Sequence, residues 1–93
     1  MEIRIDPHRL ERAEERGTNE EEIKEVINSG ISIPARYGRE GRAKSYEFKQ
    51  ERHERYYEQK RVEVFYAVER DATVTVTAYV FYGKWEIKNG DSL

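Results

Sequence analysis

Three side chains near the amino terminus have the types and spacing to act together. His8, Arg12 and Arg16 are spaced four and four. On a helix each such step advances ~40° around the axis, so the three rise along one flank within an ~80° arc. An imidazole titrates near neutrality and can take or give a proton, while a guanidinium holds phosphate through two parallel hydrogen bonds. Leu10, Ala13 and Gly17 fall about 100° further round, on the side expected to face a core, so the stripe would border a groove. A plainer reading of the same spacing is a solvated helix laced with Glu and Arg, both good helix formers.

The local signals for that helix are strong. Asp6 can cap the first free amides, and Pro7 is tolerated at the first helical position. Gly17 can take the left-handed conformation that ends helices. Thr18 and Asn19 each have a Glu three residues on, so either could open a second helix. Ile23, Val26 and Ile27 form its apolar stripe, and Ser29-Gly30 ends it. After Gly30 the period changes from helical to alternating. Ile31 to Tyr37 reads as a strand, with Pro34 favouring an edge, and Tyr46 and Phe48 mark another. Lys49 to Arg55 reads as a polar loop. Arg61 to Val68 and Thr73 to Tyr82 read as a long antiparallel hairpin. In its second strand Val74, Val76, Ala78, Val80 and Tyr82 would share one face, and Thr73, Thr75, Thr77, Tyr79 and Phe81 the other. Met1 to Ile5 alternates as a short strand.

Helices first and strands afterwards predict an α+β fold. Its expected form is an N-terminal helical hairpin packed on one face of a four- to five-stranded antiparallel sheet. Residues 1–88 would form one domain and 89–93 a frayed tail.

The chain has 93 residues, 39% charged, with a net charge of −2, no cysteine and two histidines. Disulfides, thiolate metal sites and a cysteine nucleophile are therefore excluded. No metal-ligand spacing or phosphate-binding Gly-rich motif is present, so no cofactor is expected. No apolar run approaches the ~20 residues a bilayer demands and no leader is evident, so a cytoplasmic protein without membrane contact is expected. The charges are segregated. Glu11 to Asn28 carries seven acids against three bases, and Arg36 to Arg61 nine bases against five acids. Such asymmetry can create a cationic patch that the sum conceals.

The run His8-Arg-Leu-Glu-Arg12-Ala-Glu-Glu-Arg16-Gly17, followed by a Glu-rich second helix, resembles the opening of the domain-of-unknown-function 4258 family. Tyr56-Tyr57-Glu-Gln-Lys60-Arg61-Val-Glu-Val-Phe-Tyr-Ala-Val68 and Thr77-Ala-Tyr79-Val-Phe-Tyr82-Gly83-Lys-Trp85 are similar to its closing strands. Arg9 and Thr18 depart from the pattern, standing where a small apolar residue and a β-branched aliphatic are usual. The resemblance implies a fold like that of the RelE, colicin and barnase-like ribonucleases, which are often toxins paired with antitoxins. RNA and an antitoxin protein are then the expected partners.

Metal-independent RNA cleavage needs an acid or base, a phosphate clamp and a base platform, and the residue types are present. His8 or His53 could move the proton. Arg12, Arg16, Arg42 and Lys44 could clamp phosphate, and Tyr57, Tyr79 and Tyr82 could stack a base or donate a proton. The expected catalytic set is His8, Arg12, Arg16 and Tyr79, with Arg42, Lys44, Tyr57 and Thr77 binding substrate. The alternative is a non-catalytic RNA- or protein-binding module on the same scaffold. One geometric conflict stands: Thr77 and Tyr79 should point away from the face on which the His8 helix packs.

Overall fold

A computed structural model describes residues 2–85. The expected tail, 89–93, and the end of the expected domain at 88 lie outside the described residues. Seven elements follow in order: β1 (Glu2–Ile5), α1 (Pro7–Arg16), α2 (Glu20–Ser29), β2 (Ile31–Ile33), β3 (Glu40–Arg52), β4 (Arg55–Glu69) and β5 (Ala72–Gly83). The fold is α+β.

Both helices begin and end where local chemistry dictates. The Asp6 carboxylate accepts from the amides of His8 and Arg9, and Asn19, not Thr18, caps α2 by accepting from the Glu22 amide. Thr18 is instead buried, its hydroxyl donating to Glu22 at 2.9 Å, so this buried polar group is satisfied. Gly17 ends α1 at φ +111°. A Cβ there would overlap the Tyr82 hydroxyl, so glycine is demanded by backbone and neighbour alike.

The sheet order is β1-β5-β4-β3-β2. It is mixed, not wholly antiparallel, because β1 runs parallel to β5, pairing Glu2 with Ala72 through Ile5 with Thr75. Strand β2 is an edge, as Pro34 suggested, but stops at Ile33 instead of reaching Tyr37. The expected loop at Lys49 to Arg55 is the end of a long β3–β4 hairpin. His53 and Glu54 turn it with φ of +52° and +65°, and a bulge lies between Glu47 and Gln50. Left-handed residues at both central positions suit the twist of a two-residue hairpin turn.

Strand β5 departs from simple alternation. Phe65 pairs with Thr77 and Tyr66 with Thr75, leaving residue 76 as an extra residue in the ladder. The phase flips there, as a bulge requires. Thr73 and Thr75 are therefore buried on the helix side together with Ala78, while Thr77, Tyr79 and Phe81 face the other way. The expected single Thr face from 73 to 81 is thus split in two.

Helix α1 packs on β5, and α2 on β3 and β4. Ala13, Ile23, Val26 and Ile27 meet Val62, Val64, Tyr66 and Ala78 in one core, with Leu10 partly buried against it. Full burial of Ile23, Val26, Val62 and Val64 contributes roughly 1.5–3 kcal/mol each. Val68, which continues the alternation of Val62, Val64 and Tyr66, is exposed near the end of β4. No described helix is long and apolar enough to cross a membrane.

Candidate functional site

His8, Arg12 and Arg16 do rise along one flank of α1, as their spacing dictates. With Asp6, Arg9 and Thr77 they line an open cleft of about 490 Å³. His8 and Arg12 are exposed, and among the described residues no hydrogen-bond or ion-pair partner holds either side chain. Arg16 is anchored. Its Nη1 donates to the Ala78 carbonyl at 2.9 Å, and its guanidinium lies over the Tyr79 ring at 5.1 Å.

That anchor resolves the conflict between the helix face and the tyrosine face. Strand β1 covers β5 only as far as Thr75, so among the described residues β5 has a bare edge from Thr77 onward. Arg16, at the last turn of α1, reaches a carbonyl on β5 and continues onto the ring of Tyr79, which belongs to the opposite face. The cleft thus straddles the sheet edge. Behind Tyr79 the open face is aromatic: its ring meets Phe65 edge-on at 6.1 Å and Phe81 at 6.4 Å. Tyr79 and Phe81 are 41% and 46% exposed, so this ladder is available to solvent.

A second groove of about 310 Å³ begins where the first ends. Thr77 lines both, and Phe65, Tyr79, Arg36, Tyr37 and Arg39 complete the second with Pro34 and Ala35. None of Arg9, Arg36, Tyr37, Arg39 and Phe65 was expected in the site; Arg36 and Arg39 counted only toward the basic segment from Arg36 to Arg61.

Arg42, Lys44 and Tyr57 are not brought to either groove. Pairing with Val64 and Val62 turns Arg42 and Lys44 toward the helices. Arg42 donates to the Tyr66 hydroxyl at 3.1 Å and to the Gly30 carbonyl at 3.0 Å, and Lys44 lies 3.4 Å from Glu25. The Tyr57 ring lies 5.5 Å from Tyr82, whose hydroxyl donates to the Arg16 carbonyl at 2.8 Å. His53 sits exposed in the β3–β4 turn.

These placements explain the charge segregation. The acidic α2 faces the basic strands: Glu22 binds Lys60 at 2.9 Å and Glu25 binds Lys44, and within β4 Glu63 pairs with Arg61. The Tyr46 hydroxyl donates to Glu25 at 2.5 Å, which holds that carboxyl below its usual range. Burial, reinforced by Glu25, pushes the Tyr46 phenol upward, and burial also raises Tyr82. Lys44, Lys60 and Arg61 are thereby neutralised, while Arg36 and Arg39 of the same segment line the second groove. Five arginines line the two grooves, against one carboxylate, Asp6, which is occupied in capping α1. Among the described residues no three His, Asp or Glu side chains gather as a metal site would require.

The chain matches no protein-family model, no curated protein and no solved structure.

Proposed function

We propose that the protein is a metal-independent endoribonuclease of RelE-like type, cleaving single-stranded RNA in the cleft between α1 and β5. The observation that carries this reading is the convergence of His8, Arg12 and Arg16 with Thr77 and Tyr79 across the bare edge of β5. Neutral His8 takes the proton of a ribose 2′-hydroxyl, whose oxygen attacks the adjacent phosphorus. The bond to the 5′-oxygen breaks with its electron pair. That oxygen takes a proton from the Tyr79 hydroxyl, which recovers one from solvent. A 2′,3′-cyclic phosphate and a 5′-hydroxyl result. Arg12, exposed and unpaired among the described residues, clamps the phosphorane. Arg16 uses one of its five N–H donors on Ala78 and offers others to the same charge. Thr77 lies where the strand enters the second groove.

The test is incubation of the purified protein with single-stranded RNA in chelator. Cyclic-phosphate ends are expected, and a 2′-deoxy residue at the scissile position abolishes cutting. His8→Ala and Arg12→Ala each slow it about a hundredfold or more. Intact RNA, or a double variant that cuts like wild type, refutes catalysis. The half-exposed ladder of Phe65, Tyr79 and Phe81 favours a second reading, a non-catalytic RNA-binding module. Salt-sensitive binding without cleavage selects it. In the catalytic reading the protein is a cytoplasmic toxin, and an antitoxin covers the arginine-lined grooves.

A further inference from the structure

The second groove is built around an unusual tyrosine. Tyr37 is 87% exposed, the most exposed large hydrophobic residue described, and it stands at φ +59° beside Gly38 at +71°. The Arg39 amide bonds back to the Arg36 carbonyl at 3.2 Å, closing a turn with both central residues left-handed. Asn-Gly is the pair that such a turn favours. A bulky aromatic held there is strained and gains no burial in return, which points to a task outside the fold. Across the groove lie Phe65 and Tyr79, and Arg36 and Arg39 belong to its wall. Among the described residues neither arginine side chain has a carboxylate partner.

We infer that this groove is a nucleobase pocket, in which Tyr37 and Tyr79 stack the base of a nucleotide whose phosphate lies in the His8–Arg12–Arg16 cleft. The inference rests on the RNA reading above and extends it from the reacting phosphate to the neighbouring base. Two observations select this occupant. Thr77 is common to both grooves, so a phosphate in one and a base in the other belong to a continuous chain. The groove joins aromatic faces to arginines with no acid in its lining, the chemistry of single-strand binding. A duplex keeps its bases stacked on one another and has none to insert.

The test is fluorescence anisotropy with a single-stranded, all-2′-O-methyl hexanucleotide, which lacks the attacking hydroxyl and stays intact. Tyr37→Asn suits the left-handed turn and leaves the fold unharmed, as a melting curve verifies. It is expected to weaken binding about tenfold or more, while Tyr37→Phe retains it. One abasic position, moved along the strand, weakens wild type by a similar factor at a single register and leaves Tyr37→Asn unaffected there. Arg12→Ala instead lowers affinity whichever base is present and flattens the salt slope. If Tyr37→Asn binds as wild type does while Arg12→Ala is weakened, the pocket is overturned and the phosphate site stands. If wild type binds no strand, both fall. Equal binding of duplex, or full displacement of the strand by polyglutamate, also overturns the pocket, since neither ligand offers a free base.

Discussion

Gly17→Ala is the most informative single change to the scaffold, because it acts on the joint between α1 and β5. The residue stands at φ +111°, where an L side chain costs about 1–2 kcal/mol. The new methyl also meets the Tyr82 hydroxyl, with the ring carbon behind it at 3.3 Å and Arg52 Nη1 at 3.4 Å. Tyr82 must withdraw, and its bond to the Arg16 carbonyl, 2.8 Å in the native chain, is lost at about 1 kcal/mol. The sum is about 2–3 kcal/mol, or roughly 10–20 °C in Tm for a domain of this size. Tyr82→Phe alone removes only the hydrogen bond and costs about 1 kcal/mol. In the double variant that bond is already gone and the hydroxyl no longer blocks the methyl, so Tyr82→Phe adds almost nothing to Gly17→Ala. Urea denaturation of the four proteins measures this non-additivity of about 1 kcal/mol. Strict additivity, or a Gly17→Ala cost below 0.5 kcal/mol, refutes the reasoning.

Two further changes probe the interior. Thr75 is 2% exposed and its hydroxyl has no hydrogen-bond partner among the described residues, so Thr75→Val is expected to stabilise the protein by about 1 kcal/mol, read as a higher urea midpoint. The Tyr46–Glu25 bond sets two pH limits. Glu25 is lowered from 4.5 in the folded state, so its contribution is full above that value and lost as pH falls through the folded pKa. Tyr46 is raised from 10, so its contribution is full below pH 10 and lost as pH rises beyond it. The stability difference between wild type and Tyr46→Phe is therefore flat through neutrality and shrinks at both extremes, which denaturation at a series of pH values checks.

Legibility from sequence followed the range of the interaction. Asp6, Pro7, Gly17 and Asn19 act on amides a few residues away, so the helix ends were readable almost to the residue. The β4–β5 hairpin was readable because Val62, Val64 and Tyr66 recur at every second position of a run rich in β-branched and aromatic residues. The bulge at residue 76 was not. From Thr73 to Thr77 the strand alternates Thr and Val, which are β-branched alike, so neither face announces itself as the inner one. The distal β3–β4 hairpin was hidden for a different reason. Lys49 to Arg55 are almost all exposed, so no buried face imposes a period. Arg42 and Lys44 inverted the usual rule by facing the helices, where Gly30 and Glu25 receive them. Within the candidate site the stripe on α1 was visible as spacing. Its meeting with Tyr79 depended on how far β1 covers β5, a pairing between distant residues that no local pattern encodes.

That pairing also orders events in time. Glu2 and Ala72 lie seventy positions apart, yet they are neighbours in the finished sheet. A chain leaving the ribosome carries the arginine stripe of α1 long before the strand bearing Thr77 and Tyr79 has been synthesised. Contacts of such long sequence separation form late, after loop closure over most of the chain. The two halves of the proposed site are thus kept apart until β5 is in place, so on the ribonuclease reading the chain would be harmless to its own message through most of elongation.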